Sequence, residues 1–318
     1  MESVHGDRLK RILRKIQNFM REGKYYEAHQ MYRSLYSRYA SQRRYSVLQQ
    51  LLFNAALTFL HIKQYASGTD LGILYINVLD RSLEVPEPVY FQHITNLFEM
   101  MNPAYPERET FLQEALRFST KGTEYKTGHP KLHKRVARVY WKEKNFILAK
   151  QHFLNSDDGA GCAAMFVELH KERGYSNEVD LFIAQAVLQY LCLKNKAAAQ
   201  EAFDAYTMQH PKIVGRPPYS LPLLNFLYFL LRTIETGKLT VFTILCEQYH
   251  LSLNRDSCYR QYLDKIGQIY FNIPPARPRH QGLFGSLLQS VFKDMEDDES
   301  EEEQRNAAST ARTTLELD

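Results

Sequence analysis

The fold of this chain is decided by two stretches, residues 23–39 (GKYYEAHQMYRSLYSRY) and residues 51–79 (LLFNAALTFLHIKQYASGTDLGILYINVL). In both, apolar residues recur at helical spacing on more than one face of the segment. A helix that is apolar on two faces needs neighbours on both sides to bury them. Antiparallel helix pairs stacked into an array meet that need.

A large side chain followed three positions later by a small one recurs through the chain. This pattern occurs at Tyr25 with Ala28, at Tyr65 with Gly68, and at Phe146 with Ala149. Counted from such motifs and from helix breaks, units begin near residues 24, 64, 105, 144, 195 and 238. This spacing exceeds the roughly 34 residues of a tetratricopeptide unit. We therefore predict an all-α, TPR-like solenoid of degenerate antiparallel helix pairs.

Composition points to an intracellular protein without a membrane span. The four cysteines form no CxxC pair and no zinc-like cluster, which predicts reduced thiols. No signal peptide is recognisable, and the longest apolar run, residues 221–231, is interrupted by Asn225 and is too short to cross a bilayer. We expect a cytosolic protein that does not insert into membranes.

Charge is distributed unevenly along the chain and suggests its organisation. Residues 1–62 carry 11 Lys/Arg and 4 Asp/Glu, whereas residues 293–318 carry 3 and 10. We predict a flexible segment 1–6 before an Asp7 N-cap, a solenoid with an N-terminal half 7–155 and a C-terminal half 156–292, and a disordered acidic tail 293–318. Within the second half, a short amphipathic helix is expected over residues 283–292.

No arrangement of residues indicates catalysis, and we expect no enzyme activity, cofactor or metal. The chain has no phosphate-binding glycine loop, GxSxG or HExxH motif. His129 and His133 lack further ligands at metal spacing. Asp157 and Asp158 fit best as an N-cap for the helix that follows them.

The first helix has a basic face for which three interpretations are possible. It could be a solvated face, a nucleic-acid site, or a docking surface for an acidic protein. The neighbouring tyrosines resemble stacking residues of helix pairs more than a platform for bases, so we expect no nucleic-acid partner. Clustered arginines form charge-assisted contacts with carboxylates, which favours protein docking.

The apolar run at residues 221–231 also allows two interpretations. A helix that is apolar all round must be buried on nearly every side. Either a partner chain completes that burial, or residues of the following helices do so. The latter candidates are Phe242, Leu245, Tyr262, Ile266 and Phe271.

Several strings resemble the Golgi-to-ER traffic protein four family, the helical scaffold of tail-anchored-protein targeting. They are GKYYEAHQMYRSLYSRY, KQYASGTDL, PYSLPLLNF, GKLTVFTILCEQY and FNIPP, and the likeness extends over about residues 7–292. The resemblance implies a right-handed α-solenoid without catalytic activity. It also implies a role in bridging a chaperone complex, made of a large BAG-domain chaperone and a ubiquitin-like subunit, to the targeting ATPase. Animal members of the family are thought to retain that chaperone in the cytosol.

The same resemblance implies two sets of site residues. The first would dock the ATPase, with Asp70 linked to regulation of hydrolysis: Arg8, Arg11, Arg14, Lys15, Tyr25, Tyr26, His29, Arg33, Arg38 and Asp70. The second would bind the chaperone or ubiquitin-like partner: Pro217, Tyr219, Leu221, Leu223, Leu224, Phe226 and Phe229. The alternative is a helical assembly platform of another multiprotein complex, such as a proteasome-lid or signalosome subunit.

Overall fold

Most of the described residues of the chain lie in α-helices. The computed structural model describes residues 2–82 and 85–275, with side chains from residue 7 onward. Within these ranges there are fifteen α-helices and no strand, which confirms the predicted all-α class. The first eight are α1 (Glu2–Arg21), α2 (Tyr25–Ser41), α3 (Tyr45–His61), α4 (Tyr65–Ser82), α5 (Pro88–Met100), α6 (Glu107–Ser119), α7 (Pro130–Lys142) and α8 (Phe146–Leu154). The others are α9 (Gly159–Arg173), α10 (Val179–Cys192), α11 (Lys196–Gln209), α12 (Pro222–Thr236), α13 (Leu239–Gln248), α14 (His250–Leu253) and α15 (Cys258–Tyr270).

The helices group into two compact units. The first contains the described residues up to 179 together with 197–212, and the second contains 180–196 and the described chain from 213. This division differs from the expected halves 7–155 and 156–292, because α11 belongs to the first unit although α10, from residue 180, belongs to the second. The functional roles given to the two halves remain predictions.

The predicted repeat agrees with the helix boundaries. The second helix of each pair begins within two residues of a predicted unit start, at Tyr25, Tyr65, Glu107, Phe146, Lys196 and Leu239. The longest interval, between units near 144 and 195, contains the additional helix α9. Sequential packing of α1 on α2, α2 on α3 and α3 on α4 follows the order of the chain, as in a helical solenoid.

The small residues of the repeated motif lie where helices approach closely. Ala28 and Ala149 are 0 % exposed. At Gly68 a Cβ atom would lie 2.7 Å from the Leu60 side chain of the preceding helix, so a larger residue would force the α3–α4 pair apart. The small residues of the motif therefore mark helix crossings.

Five helix–helix turns share one conformation. Each is three residues long, and its central residue has φ between 56° and 72°; these residues are Gly23, Arg43, Lys63, Lys144 and Lys194. In the α3–α4 turn the Lys63 N–H donates to the Leu60 carbonyl (3.0 Å) and the Gln64 N–H to the Phe59 carbonyl (2.9 Å). This is the Schellman arrangement, which satisfies the last carbonyls of a helix. The same turn conformation therefore recurs five times in the described chain, although only one of these turns has glycine at its central position.

The sequence also made predictions about the two ends of the chain. The first helix begins at Glu2, so the expected N-cap at Asp7 is wrong, while the flexibility expected for segment 1–6 stays a prediction. Residues 2–7 contain no proline, and the one glycine among them, Gly6, costs a helix only about 1 kcal/mol relative to alanine. The predicted tail 293–318 and the predicted helix at 283–292 lie outside the described residues.

Candidate docking surfaces

The predicted cationic residues of α1 all face solvent. Arg8, Arg11, Arg14 and Lys15 are exposed, whereas Ile16 on the inner side of the helix is 1 % exposed. The inner stripe therefore attaches α1 to α2 and leaves the basic side chains available. Exposed cations that are not neutralised by neighbours raise the local concentration of acidic partners.

The first turn of α2 adds an exposed aromatic residue to this part of the first unit. Tyr26 is 71 % exposed, whereas Tyr25 is half-buried. Arg38 lies more than three turns further along α2 and is half-buried. Large exposed tyrosines are common in protein interfaces because their ring is apolar and their hydroxyl is polar.

Three predicted residues of α2 and α4 form a cluster. The His29 Nε2 atom lies 2.8 Å from the Asp70 carboxylate, and the Arg33 Nη1 atom lies 3.5 Å from the other carboxylate oxygen. His29 is 8 % exposed and its ring contacts the Phe59 ring edge-on, at 6.2 Å between centroids. The cluster joins α2 to α4, and only Arg33 and Asp70 keep substantial exposure.

The predicted residues of the second unit separate into accessible and inaccessible groups. Leu223, Leu224 and Phe226 are each 0 % exposed, so the chain itself covers them and they cannot contact a partner directly. This corrects their inclusion in the partner-binding set. Accessible surface remains at Pro217, Tyr219, Leu221 and Phe229.

The burial of α12 favours the interpretation in which the following helices, and not a partner chain, cover its apolar sequence. The helix packs on α13 and α14, and Phe226 contacts Tyr249 at 5.8 Å between ring centroids. Of the proposed covering residues, Phe242 is 3 % exposed and stacks on Phe271 at 4.5 Å between ring centroids. Self-coverage thus accounts for most of the apolar run, although Phe229 remains 43 % exposed.

The loop before α12 is tied to the helix by one asparagine. The Asn225 side chain accepts a hydrogen bond from the Tyr219 N–H (2.6 Å) and donates one to the Tyr219 carbonyl (2.7 Å). These two bonds offset the desolvation cost of the half-buried amide, because both its oxygen and its nitrogen have a partner. Asn225 therefore interrupts the apolar sequence to hold the loop in place.

Sequence reasoning missed two surface features. One is a pocket at α5 and α7 lined by Phe91 and four cations, Lys131, Lys134, Arg135 and Arg138. Asp158, itself 5 % exposed, pairs with Arg138 at 2.8 Å and lies 3.5 Å from Lys134, so one carboxylate is shared by two of the four cations. The four cations lie three and four residues apart on α7, and this spacing was the signal that could have shown that they share one face of the helix.

The second missed feature is an apolar groove formed by α12 and α13, which we call the α12–α13 groove. It has a volume of about 540 Å³ and is lined by Phe229, Arg232, Lys238, Val241, Ile244 and Leu245, among others. The sequence alone did not show that Val241 and Ile244 are exposed, because it does not determine which face of α13 packs against the unit. The groove lies entirely in the second unit.

Histidines that could suggest chemistry have structural partners. The His129 Nδ1 atom accepts a hydrogen bond from the Lys131 N–H and caps α7, while His133 bonds His152 at 2.9 Å. Among the described residues, no group of three or more His, Cys, Asp or Glu side chains could hold a metal ion. The Asp158 carboxylate accepts from the Gly161 N–H, which confirms the predicted cap of α9. Within residues 2–82 and 85–275, every helix is too short or too polar to cross a bilayer.

Comparison with known proteins identifies the family. The sequence profile described as Golgi to ER traffic protein 4 matches residues 42–292. The chain belongs to the Golgi to ER traffic protein 4 family. A homologue of that protein from Oryzias latipes is 48 % identical over 302 residues, covering 95 % of this chain and 93 % of the relative. The Homo sapiens homologue is 45 % identical over 296 residues, covering 92 % and 90 %.

A solved structure of the family supports the fold. The crystal structure of C. therm. Get4 aligns with a TM-score of 0.77 at 26 % identity, covering 90 % of this chain and 96 % of that chain. The described helices thus follow the helical solenoid of the Golgi to ER traffic protein 4 family.

Proposed function

We propose that this chain is a non-enzymatic scaffold in the post-translational targeting of tail-anchored membrane proteins to the endoplasmic reticulum. It bridges a client-holding complex of a BAG-domain chaperone and a ubiquitin-like subunit to the targeting ATPase. It also retains the chaperone in the cytosol. Family membership supports the coarser role in Golgi-to-ER traffic.

The exposed cationic face of α1 carries this proposal. Four basic side chains, Arg8, Arg11, Arg14 and Lys15, extend into solvent from one helix that is anchored by Ile16. A surface of this kind attracts an acidic face of the ATPase and orients it by charge. The neighbouring exposed Tyr26 offers a ring that an interface can bury.

The second unit offers a chemically different surface for the chaperone or the ubiquitin-like subunit. Its accessible residues are Pro217, Tyr219 and Leu221 in the loop, and Phe229 on α12. The Asn225 hydrogen bonds hold this loop in one conformation before a partner arrives, which reduces the entropy cost of binding. A cationic surface on α1 and a mainly apolar surface in the second unit fit a protein that binds two different partners.

Charge reversal at two residues of the cationic face of α1 and at Arg38 of α2 tests the ATPase contact. In the triple variant Arg11→Glu, Arg14→Glu and Arg38→Glu, we expect affinity for the ATPase to fall at least about tenfold at low ionic strength, and less at high ionic strength. Binding of the BAG-domain chaperone should not change. Isothermal titration at two salt concentrations measures both affinities.

A control with the same change in net charge separates specific docking from general electrostatics. Lys126, Lys171 and Lys194 are exposed and lie outside both predicted sets. Their triple replacement by glutamate should leave ATPase affinity within about twofold of the wild type, since distant surface charges are largely screened. Equal losses in both triple variants, or none in either, would contradict docking through Arg11, Arg14 and Arg38.

A nucleic-acid titration tests the competing use of the same face. Filter binding of single-stranded DNA at two salt concentrations should detect no complex. Tight, salt-dependent binding that the Arg11, Arg14 and Arg38 reversals abolish would favour a nucleic-acid adaptor instead.

A further inference from the structure

The α12–α13 groove leaves apolar side chains open to solvent within a well-packed unit. Ile244 is 57 % exposed, and Phe229 and Val241 are each 43 % exposed. On the inner side of α12, by contrast, Leu227, Leu230 and Leu231 are 0–1 % exposed. Contiguous exposed apolar residues in a groove mark a surface that something else covers.

The rim of the groove is cationic. Arg232 and Lys238 line it, and the Arg232 side chain is 60 % exposed. Arg232 lies 3.7 Å from Glu235, too far for a strong pair at the surface. Between residues 7 and 275, as far as they are described, Lys238 takes part in no ion pair. An occupant with apolar residues followed by acidic ones would complement both the floor and the rim.

The described chain ends beside the helix that forms the groove. Phe271 stacks on Phe242 of α13, with 4.5 Å between ring centroids and 18° between ring planes. Phe242 directly follows the groove residue Val241 and lies on a neighbouring face of the same helix. The last described residue is Pro275. The remaining chain therefore departs four residues after a side chain that packs on α13.

The sequence beyond Pro275 contains a segment with the required chemistry. Residues 283–292, outside the described residues, have apolar side chains at spacings of one and three, which place them on one helical face. These are Leu283, Phe284, Leu287, Leu288, Val291 and Phe292. Of the ten residues 294–303 that follow, eight are Asp or Glu, which is the charge that Arg232 and Lys238 would attract.

The connecting segment is long enough to reach the groove. Residues 276–282 span roughly 23 Å when extended at about 3.3 Å per residue. An α-helix with its side chains is only about 10–12 Å across. A chain that leaves four residues after the Phe271–Phe242 contact is therefore long enough for residues 283–292 to reach the groove.

We propose that residues 283–292 of this chain bind in its own α12–α13 groove. Their apolar face covers Ile244, Val241 and Phe229, and the acidic residues after them lie along Arg232 and Lys238. Because Phe229 belongs to the surface proposed for the chaperone, the docked segment occupies part of that surface until a partner displaces it. The docking itself does not depend on which partner binds.

Hydrogen–deuterium exchange on the full chain tests this contact. In the wild type, amides of residues 283–292 should exchange at least about tenfold more slowly than in the double variant Leu287→Asp, Leu288→Asp. Residues 239–248 should lose protection in the same variant. The double variant Ser286→Asp, Gln289→Asp adds the same two charges on the polar face and should exchange like the wild type.

A change in the groove provides the reciprocal test. Ile244→Asp should abolish the protection of residues 283–292, whereas Leu251→Asp, at a residue that is 75 % exposed but does not line the groove, should not. Exchange in residues 45–61 of the first unit reports that the variants remain folded. Equal exchange of residues 283–292 in the wild type and in Leu287→Asp, Leu288→Asp would overturn the proposal. Protection that appears only as protein concentration rises would also overturn it, because the occupant would then be a second copy.

Discussion

The imidazole of His29 lies 2.8 Å from the carboxylate of Asp70, so that α2 and α4 are joined across forty-one residues of sequence. His29 is buried against Phe59, whereas Asp70 keeps about a third of its side chain exposed. The same carboxylate is therefore both a structural link and a surface group next to Arg33. A partner that bound the exposed part of Asp70 would therefore also act on the packing of α2 against α4.

A double-mutant cycle measures that link. His29→Gln and Asp70→Asn should each lower the free energy of unfolding by about 1 kcal/mol, and their coupling energy should be about 0.5–1 kcal/mol because the pair is only partly buried. Urea denaturation gives these values. Arg33→Gln should change stability little, since its contact with Asp70 is long and exposed. Additive effects of the His29 and Asp70 replacements would show that the pair does not stabilise the α2–α4 contact.

A buried arginine holds α5, α6 and α7 together in the first unit. The Arg108 guanidinium is 5 % exposed, stacks over Phe98 at 4.0 Å, and donates to both carboxylate oxygens of Glu143. Arg108→Ala leaves Glu143 without its partner in a largely buried site and should cost about 3–5 kcal/mol in unfolding free energy. The exposed pair of Arg117 with Glu114 supplies the control, because Arg117→Ala should cost no more than about 1 kcal/mol. Similar losses in the two variants would refute this difference.

The start of α9 packs directly on the backbone of α11. A Cβ atom on Gly159 would lie 2.3 Å from the Ala198 carbonyl oxygen and 2.8 Å from the Ala202 nitrogen. Neither backbone atom can move as a side chain could, so Gly159→Ala should destabilise the chain by about 1–3 kcal/mol. Thermal unfolding with Ala160→Ser as the control, expected within about 0.5 kcal/mol of the wild type, checks this. An unchanged midpoint for Gly159→Ala would mean that the two helices are less close than described.

Stability should depend on pH through a buried histidine pair. Burial lowers the pKa of His133 to about 4, and burial together with the charge of His133 lowers the pKa of His152 to about 3. In the unfolded chain both titrate near 6.5, so between these values the unfolded state binds more protons than the folded one. The free energy of unfolding should therefore fall as pH decreases from about 6.5 towards 4.

Urea titrations at several pH values test that dependence. The double variant His133→Gln, His152→Gln should show a smaller loss of stability between pH 7 and pH 4.5 than the wild type. Replacement of the exposed His250 by glutamine is the control and should preserve the wild-type slope. Stability that increases on acidification over this range would contradict the neutral, buried state of the pair.

The helical repeat was predictable because its signal is local. Tyr65 and Gly68 specify a helix start and a close crossing within four residues, and α4 begins at Tyr65 as the motif indicates. The shared turn was not predictable, since Arg43, Lys63, Lys144 and Lys194 adopt positive φ without the glycine that normally marks it. There the packing of both helices imposes the conformation on residues that do not prefer it.

The candidate sites were predictable only in part, because exposure depends on tertiary packing. The exposed face of α1 follows from its amphipathic sequence, and His29 with Asp70 could be expected only from the resemblance. Leu223 and Phe226 are as apolar as Phe229, yet the first two are 0 % exposed and the last is 43 % exposed. Which side of α12 would meet α13 and α14 was not determined by its nearly uniform apolar sequence.

The central claim is that one chain binds the targeting ATPase and the chaperone at the same time. Size-exclusion chromatography with light scattering of the chain mixed with both partners measures this directly. The account predicts a single ternary complex whose mass is the sum of all three components, from which Arg11→Glu, Arg14→Glu and Arg38→Glu release only the ATPase. Mutual displacement of the two partners, or a chain that elutes apart from both, would contradict it.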